Sequence, residues 1–168
     1  MSAASPPASL LSSPALLPAE RTLSVCRAAA RFCAQRGWAP VREMPLPNGR
    51  RADILALQPD GGFVVLEVKS CARDFLSDGK WPEYRDFCDR LYFAVDLDFP
   101  EELLPEDVGL VVAEGPEASL VREAPAHPLA PARRRSLLHR YAVVAAARLA
   151  GLQDPAGQAE IRAALRAE

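Results

Sequence analysis

The sequence predicts an α/β sandwich, a sheet packed between helices, and three observations predict it. Apolar residues recur at helical spacing before residue 36; two apolar, partly β-branched runs flank a short turn at residues 58 to 62; and a long amphipathic stretch follows a proline-rich linker near the end. With 168 residues, 49% apolar and 25% charged, the chain suits one globular domain with a sizeable core. We expect a flexible tail over 1–18, the domain over 19–150 and a C-terminal helical extension over 151–168.

Each element has a local reason. Ala19 or Thr22 opens a helix running to about Gln35, with Leu23, Cys26, Ala30, Cys33 and Ala34 on one side and Gly37 placed to stop it. Pro45, Pro47 and Asn48-Gly49 force a turn. Residues 51–57 and 63–69 read as antiparallel strands joined by Gln58-Pro59-Asp60-Gly61-Gly62. Residues 71–89 read as one or two short helices interrupted at Gly79 and Pro82. Arg90 to Val95 and Val108 to Ala113 read as buried strands, and Ser119 to Glu123 as an edge strand. Pro125, Pro128 and Pro131 mark a linker, Ala132 to Leu149 an amphipathic helix stopped by Gly151, and 156–167 a last helix.

Several function classes drop out. No apolar run approaches the ~20 residues that a membrane span needs. Residues 1 to 19 carry no charge and so lack the basic start of a secretory signal. Cys26, Cys33, Cys71 and Cys88 form no CxxC pair, which argues against a zinc site or a disulfide framework and for a reduced, cytoplasmic setting. Gly61-Gly62 lies in a hairpin and opens no helix, so no phosphate loop supports an α/β ligand-binding protein.

The net charge of -2 hides a strong segregation. Residues 20–51 hold seven Arg against Glu20 and Glu43, residues 52–117 hold sixteen acids against five bases, and residues 118–150 hold six Arg against Glu123. Two basic flanks around an acidic centre suit a polyanion gripped over a cation site; the same pattern also describes an unevenly charged solvated surface.

The hairpin turn sets the pairing of its strands, with Leu57 opposite Phe63, Leu55 opposite Val65 and Asp53 opposite Glu67. Two like charges so placed destabilise a sheet unless a cation compensates. Period two puts Lys69 on the face of Glu67, the trio projecting from the sheet into solvent. Two carboxylates and an ammonium are the parts of metal-assisted phosphodiester hydrolysis: hard oxygens for Mg²⁺ or Mn²⁺, and a cation to orient or deprotonate water and neutralise developing charge. The competing reading is a plain cross-strand ion pair. Residue usage favours function, because the chain has eighteen Arg and only two Lys, Lys69 and Lys80, and an indifferent basic position here would be Arg.

Asp53 with Glu67-Val68-Lys69 resembles the D...ExK signature of the PD-(D/E)XK, restriction-endonuclease-like superfamily. The longer text Gly49-Arg50-Arg51-Ala52-Asp53, Leu66 to Ser70, Asp74-Phe75, Asp78, Lys80-Trp81-Pro82, Tyr84, Cys88 to Val95 and Gly109-Leu110 closely resembles the MmcB family of bacterial DNA-repair proteins, from about Thr22 to Leu149. The resemblance implies a mixed β-sheet flanked by helices and a part in DNA repair. It implies Asp53 and Glu67 as metal ligands and Lys69 as catalytic lysine, although Ala52 stands where the motif usually has Pro. Relatives in the superfamily often add a third acid, for which Glu20 and Glu43 are equal candidates.

Around this centre, Lys80 and Tyr84, four apart, would share a helix face and reach a scissile phosphate, and Trp81 would stack on an unpaired base or else cover the sheet. Arg50 and Arg51 would emerge at the site edge as phosphate contacts. Arg133, Arg134 and Arg135 open the long helix, where cations oppose the helix dipole, so they meet either phosphate or the acidic run Glu101, Glu102, Glu106 and Asp107. The expected function is that of a metal-dependent DNA endonuclease acting on damaged or branched DNA, or of a catalytically silent DNA-binding module of the same fold. Other repair proteins and a homodimer partner are further expectations.

Overall fold

A computed structural model describes residues 17–165. The expected tail therefore lies, except for its last two residues, outside the described residues, as do the final residues of the expected last helix.

Helix α1 spans Pro18–Gln35. Proline suits a first turn, and the Glu20 carboxylate accepts the exposed Leu17 N–H at 3.0 Å. The helix ends as predicted at Gly37, whose φ of +73° lets the Trp38 N–H reach the Cys33 carbonyl and the Gly37 N–H that of Ala34. Thr22 lies inside the first turns rather than at the cap. Its hydroxyl donates to the Pro18 carbonyl and pairs with Ser70 Oγ.

Six strands follow: β1 Ala39–Pro45, β2 Arg51–Leu57, β3 Phe63–Val68, β4 Arg90–Asp96, β5 Gly109–Glu114 and β6 Glu117–Arg122. They lie side by side in chain order, antiparallel from β1 to β3, parallel from β3 to β5 and antiparallel again at β6. The hairpin register is the predicted one, Leu57 opposite Phe63 and Leu55 opposite Val65. Strand β1 was not foreseen. Pro45 reads as a turn residue, but it and Pro40 lie on an edge strand, where a missing N–H disrupts little.

Each face of the sheet has its own core. Ile54, Ala56, Val64, Leu66, Tyr92 and Ala94 pack under Ala28, Ala29 and Phe32 of α1. Leu55, Phe63, Val65, Phe93, Val95 and Leu110 pack under a 3₁₀ segment, Trp81–Phe87, and under a long helix α3, Pro131–Gln153. Covered on both sides, β3 is buried at every position, as its unbroken apolar text requires. A short helix α2, Ala72–Ser77, precedes the 3₁₀ segment. Helix α3 does not stop at Gly151. It continues until Pro155 begins α4, Pro155–Ala164, whose cap is Asp154 accepting the Gly157 N–H.

Two polar ties hold α3 in place. Tyr141 donates to the Ala39 carbonyl at 2.6 Å, Arg140 to that of Pro45, and Arg148 to those of Arg42 and Glu43, so the helix covers the open edge of β1. Asp89 makes the second tie. Its carboxylate accepts the Phe63 and Leu129 N–H groups and both arms of Arg134, which also donates to Gly61. Burial opposes ionisation of Asp89, but these donors outweigh it and hold its carboxyl below the ordinary range.

Replacing Asp89 by Ala is expected to destabilise the fold by about 2 to 4 kcal/mol in urea unfolding, because Arg134 and two N–H groups lose their acceptor. In the wild type this contribution is present above the unfolded carboxyl pKa of about 3.9 and is lost as pH falls through the lower folded value.

A candidate metal centre at the end of the central hairpin

Strands β1, β2 and β3 bring one acid each to a single row. The flanking pairs are Arg42 with Ile54, Met44 with Ala52, and Ile54 with Leu66, so Glu43 lies beside Asp53 and Asp53 beside Glu67. Regular alternation fails at this row. Val41 and Met44 face the same core with two residues between them, and so do Ala52 and Leu55. The break coincides with Glu43, which has a φ of +47° and is the one non-glycine residue in the left-handed region among the described residues. The ladder between β2 and β3 ends here, and the Asp53 carboxylate accepts the Val68 N–H at 2.8 Å.

The trio does not project into solvent as its position on the strand suggested. Glu67 is 5% exposed and Lys69 4%. Lys69 Nζ lies 3.3 Å from Glu67 Oε1 and 2.5 Å from Asp78 Oδ2. Glu67 Oε2 is buried with no hydrogen-bond partner. The cover is the 3₁₀ segment. Trp81 packs edge-to-face on Phe93, the neighbour of Glu67 on β4, and buried Tyr84 donates its hydroxyl to the Arg51 carbonyl at 3.1 Å. Tyr84 and half-buried Trp81 therefore roof the site, with the Arg85 guanidinium 5.5 Å from the centre of the Trp81 ring. Lys80, exposed at the start of the segment, does not share a face with Tyr84; its backbone N–H donates to Asp78 Oδ1.

Burial dominates the electrostatics. It pushes the Glu67 carboxyl up to about 8, with the charge of Asp53 adding to the effect. It raises Asp53 as well, against the Val68 N–H and Lys69. For Lys69 burial works toward neutrality, but the hydrogen bond to Asp78 and the charge of Glu67 prevail and keep it an ammonium. Asp78 is lowered, its burial outweighed by Lys69.

An added divalent cation suits this donor set. Asp53 and Glu67 offer hard oxygens, and Glu67 Oε2 has no hydrogen-bond partner. Among the described residues no three His, Cys, Asp or Glu side chains gather closely enough to chelate an ion unaided. Glu43 stands nearby, its carboxylate 3.7 Å from the Arg51 guanidinium, and lines a cleft of about 150 Å³ with Thr22, Cys26, Arg42, Asp53 and Val68. Glu20 instead caps α1 and lines a separate groove with Arg27 and Arg31.

Most of the arginines expected at the site edge are engaged inside the protein. Arg50 holds Glu83 with two bonds, at 2.8 and 2.9 Å. Arg133 meets Asp86 and Arg134 meets Asp89, whereas the run at 101–107 that seemed their alternative partner uses Asp107 to bind Arg85. Arg135 is exposed and forms no ion pair among the described residues. Asp78 and Arg148 were not singled out in the sequence for roles here; both act through contacts that local patterns do not encode. All four cysteines are free, with Cys26, Cys33 and Cys88 buried. Among the described residues no helix is long and apolar enough to cross a membrane.

A mixed α/β fold with paired acids and a lysine at the end of its central hairpin defines the class. The sequence profile described as DNA repair protein MmcB-like matches residues 14–156, and the chain belongs to that family. A solved structure, SPO1766, a protein of unknown function from Silicibacter pomeroyi, is 43% identical with a TM-score of 0.78, the match covering 84% of this chain and 95% of that one. A search of curated proteins finds no match.

Because the folded Glu67 carboxyl titrates above its unfolded value of about 4.3, the metal-free protein is expected to lose stability as pH rises from about 4 to 8. Glu67→Gln is expected to melt several degrees above the wild type at pH 8.5, on the order of 1 to 2 kcal/mol, and to show no advantage at pH 4. Differential scanning fluorimetry across pH measures both.

Proposed function

We propose that the chain is a metal-dependent DNA nuclease of the PD-(D/E)XK superfamily, working in DNA repair on damaged or branched DNA. The observation that carries this reading is the pair of half-buried Asp53 and buried Glu67, with one oxygen of Glu67 lacking a hydrogen-bond partner and Lys69 beside it. Membership of a DNA-repair family supports DNA as the substrate. Asp53 and Glu67 would hold Mg²⁺ or Mn²⁺, which supplies Lewis-acid stabilisation of a phosphodiester under attack.

The protein's own groups divide the remaining work. Asp53 is fixed by the Val68 N–H, so its carboxylate needs little reorganisation to serve as a ligand. Lys69, aimed by Asp78, places a positive charge beside Glu67, where it neutralises charge developing on the phosphate and orients the attacking water. The 3₁₀ roof buries Glu67 and Lys69 and so strengthens the electrostatic interactions between them. Lys80, Arg51 and Arg135 are the exposed cations we assign to phosphate contacts, each contributing a salt-sensitive, sequence-independent part of affinity.

Incubation with single-stranded, duplex, flapped and crosslinked DNA in Mn²⁺ is expected to give cleavage by the wild type and a loss of about 100-fold or more in Asp53→Asn and Glu67→Gln. Asp78→Asn removes the charge that raises the Lys69 pKa, so a rate limb set by deprotonation of Lys69 is expected to move to lower pH. Tight DNA binding without cleavage of any substrate would replace this reading with that of a binding module.

A further inference from the structure

The groups that would react are covered. Glu67 and Lys69 are buried, so a phosphodiester meets the roof before it meets either. Trp81 and Tyr84 form the cover, and Glu83 between them fastens it to the turn that joins β1 to β2. The Glu83 carboxylate accepts Nε and Nη2 of Arg50, at 2.9 and 2.8 Å, and the Asn48 amide at 3.4 Å. The hydrogen bonds from Arg50, together with the charges of Arg50 and Lys80, hold its carboxyl below the ordinary range. Two oxygens of one anion held in a guanidinium fork, with an amide beside them and an ammonium near, are also how a phosphate is bound.

The contact is placed to be exchanged. Both side chains are exposed by a third or more, and an ion pair so open to water adds little stability and is screened by salt. The segment it holds is a 3₁₀ helix, poorer in hydrogen-bond geometry than an α-helix, in which Tyr84 alone is buried. The far end of the segment is fastened separately, by Arg85 to Asp107 and by Arg133 to Asp86, ahead of buried Cys88. Loss of the Glu83 contact therefore frees the end that carries Trp81 and leaves the other end tied.

We propose that Glu83 is an internal stand-in for a DNA phosphate. It fills a phosphate site made by Arg50, Asn48 and Lys80 on the seam between the turn and the roof; an arriving phosphate takes Arg50 from it and lets the roof lift from Glu67 and Lys69. The proposal rests on the reading of DNA as substrate, and it adds the route by which DNA reaches a covered centre.

Binding of a duplex oligonucleotide to the full chain without added metal tests it, with no cleavage required. Glu83→Gln, which keeps the size of the side chain and removes its charge, is expected to bind about 2- to 5-fold more tightly than the wild type, the range that an exposed ion pair provides. Arg50→Ala should bind more weakly, and in that background Glu83→Gln should bring no gain. Without DNA, amide exchange at residues 83–87 should quicken in Glu83→Gln, as should acetylation of Lys69 counted by mass spectrometry against exposed Lys80. In the wild type, added DNA should quicken exchange at the same amides. Equal or weaker DNA binding by Glu83→Gln, an undiminished gain in the Arg50→Ala background, as net charge alone would give, or roof exchange left unchanged or slowed by DNA would each overturn the proposal. DNA binding that opens the roof without cleavage of any substrate would uphold this inference and remove the nuclease reading. Cleavage with no response of the roof or of Glu83→Gln would do the reverse, and no DNA binding by the wild type would remove both.

Discussion

Half-buried Asp53 and buried Glu67 meet at the end of the central hairpin, and the placing of charge around them is the constraint on which the neighbouring structure depends. Burial penalises both charges, and the charge of Asp53 further raises the affinity of Glu67 for a proton. Lys69 answers part of the problem through Glu67 Oε1, 3.3 Å away, but is held more closely by Asp78, at 2.5 Å. Glu67 Oε2 is left without a hydrogen-bond partner, as is Asp96 Oδ1 beside Arg21, and such orphaned buried oxygens are rare in native proteins.

The distribution of arginine follows from the same economy of charge. A chain with segregated basic and acidic segments looks built to present two positive surfaces, but the fold joins the segments to each other. Arg50 binds Glu83, Arg85 binds Asp107, Arg133 binds Asp86 and Arg134 binds Asp89. The pair of Arg134 and Asp89, with the N–H groups it gathers, fixes the start of β3 against the start of α3.

Helix α3 serves the site without entering it. Its apolar contribution is confined to a few positions such as Leu137 and Tyr141, and much of its hold on the sheet is polar, made through the carbonyls of β1. An edge strand interrupted by prolines and a positive φ has little intrinsic strength. Side chains donated from outside the sheet compensate for the ladder bonds it lacks.

The sequence by itself determined the elements whose signal is local. The Gly37 stop of α1, the hairpin register from the five-residue turn, the buried run of β3 and the edge character of β6 are legible because backbone preference and apolar period act over a few residues. The approach of Asp53 to Glu67 is legible in part, since the register leads toward it, although the ladder ends one pair earlier, at Ile54 and Leu66. Tertiary structure decided the rest. It made an edge strand of residues 39–45, buried Lys69 under a roof that includes Trp81 and Tyr84, gave Lys69 to Asp78, and carried α3 past Gly151. It also turned Arg133 and Arg134 inward to Asp86 and Asp89 and brought Arg148 to the kink at Glu43. Those outcomes depend on which surfaces meet across the sheet, and burial and long-range pairing are properties of that meeting rather than of any segment.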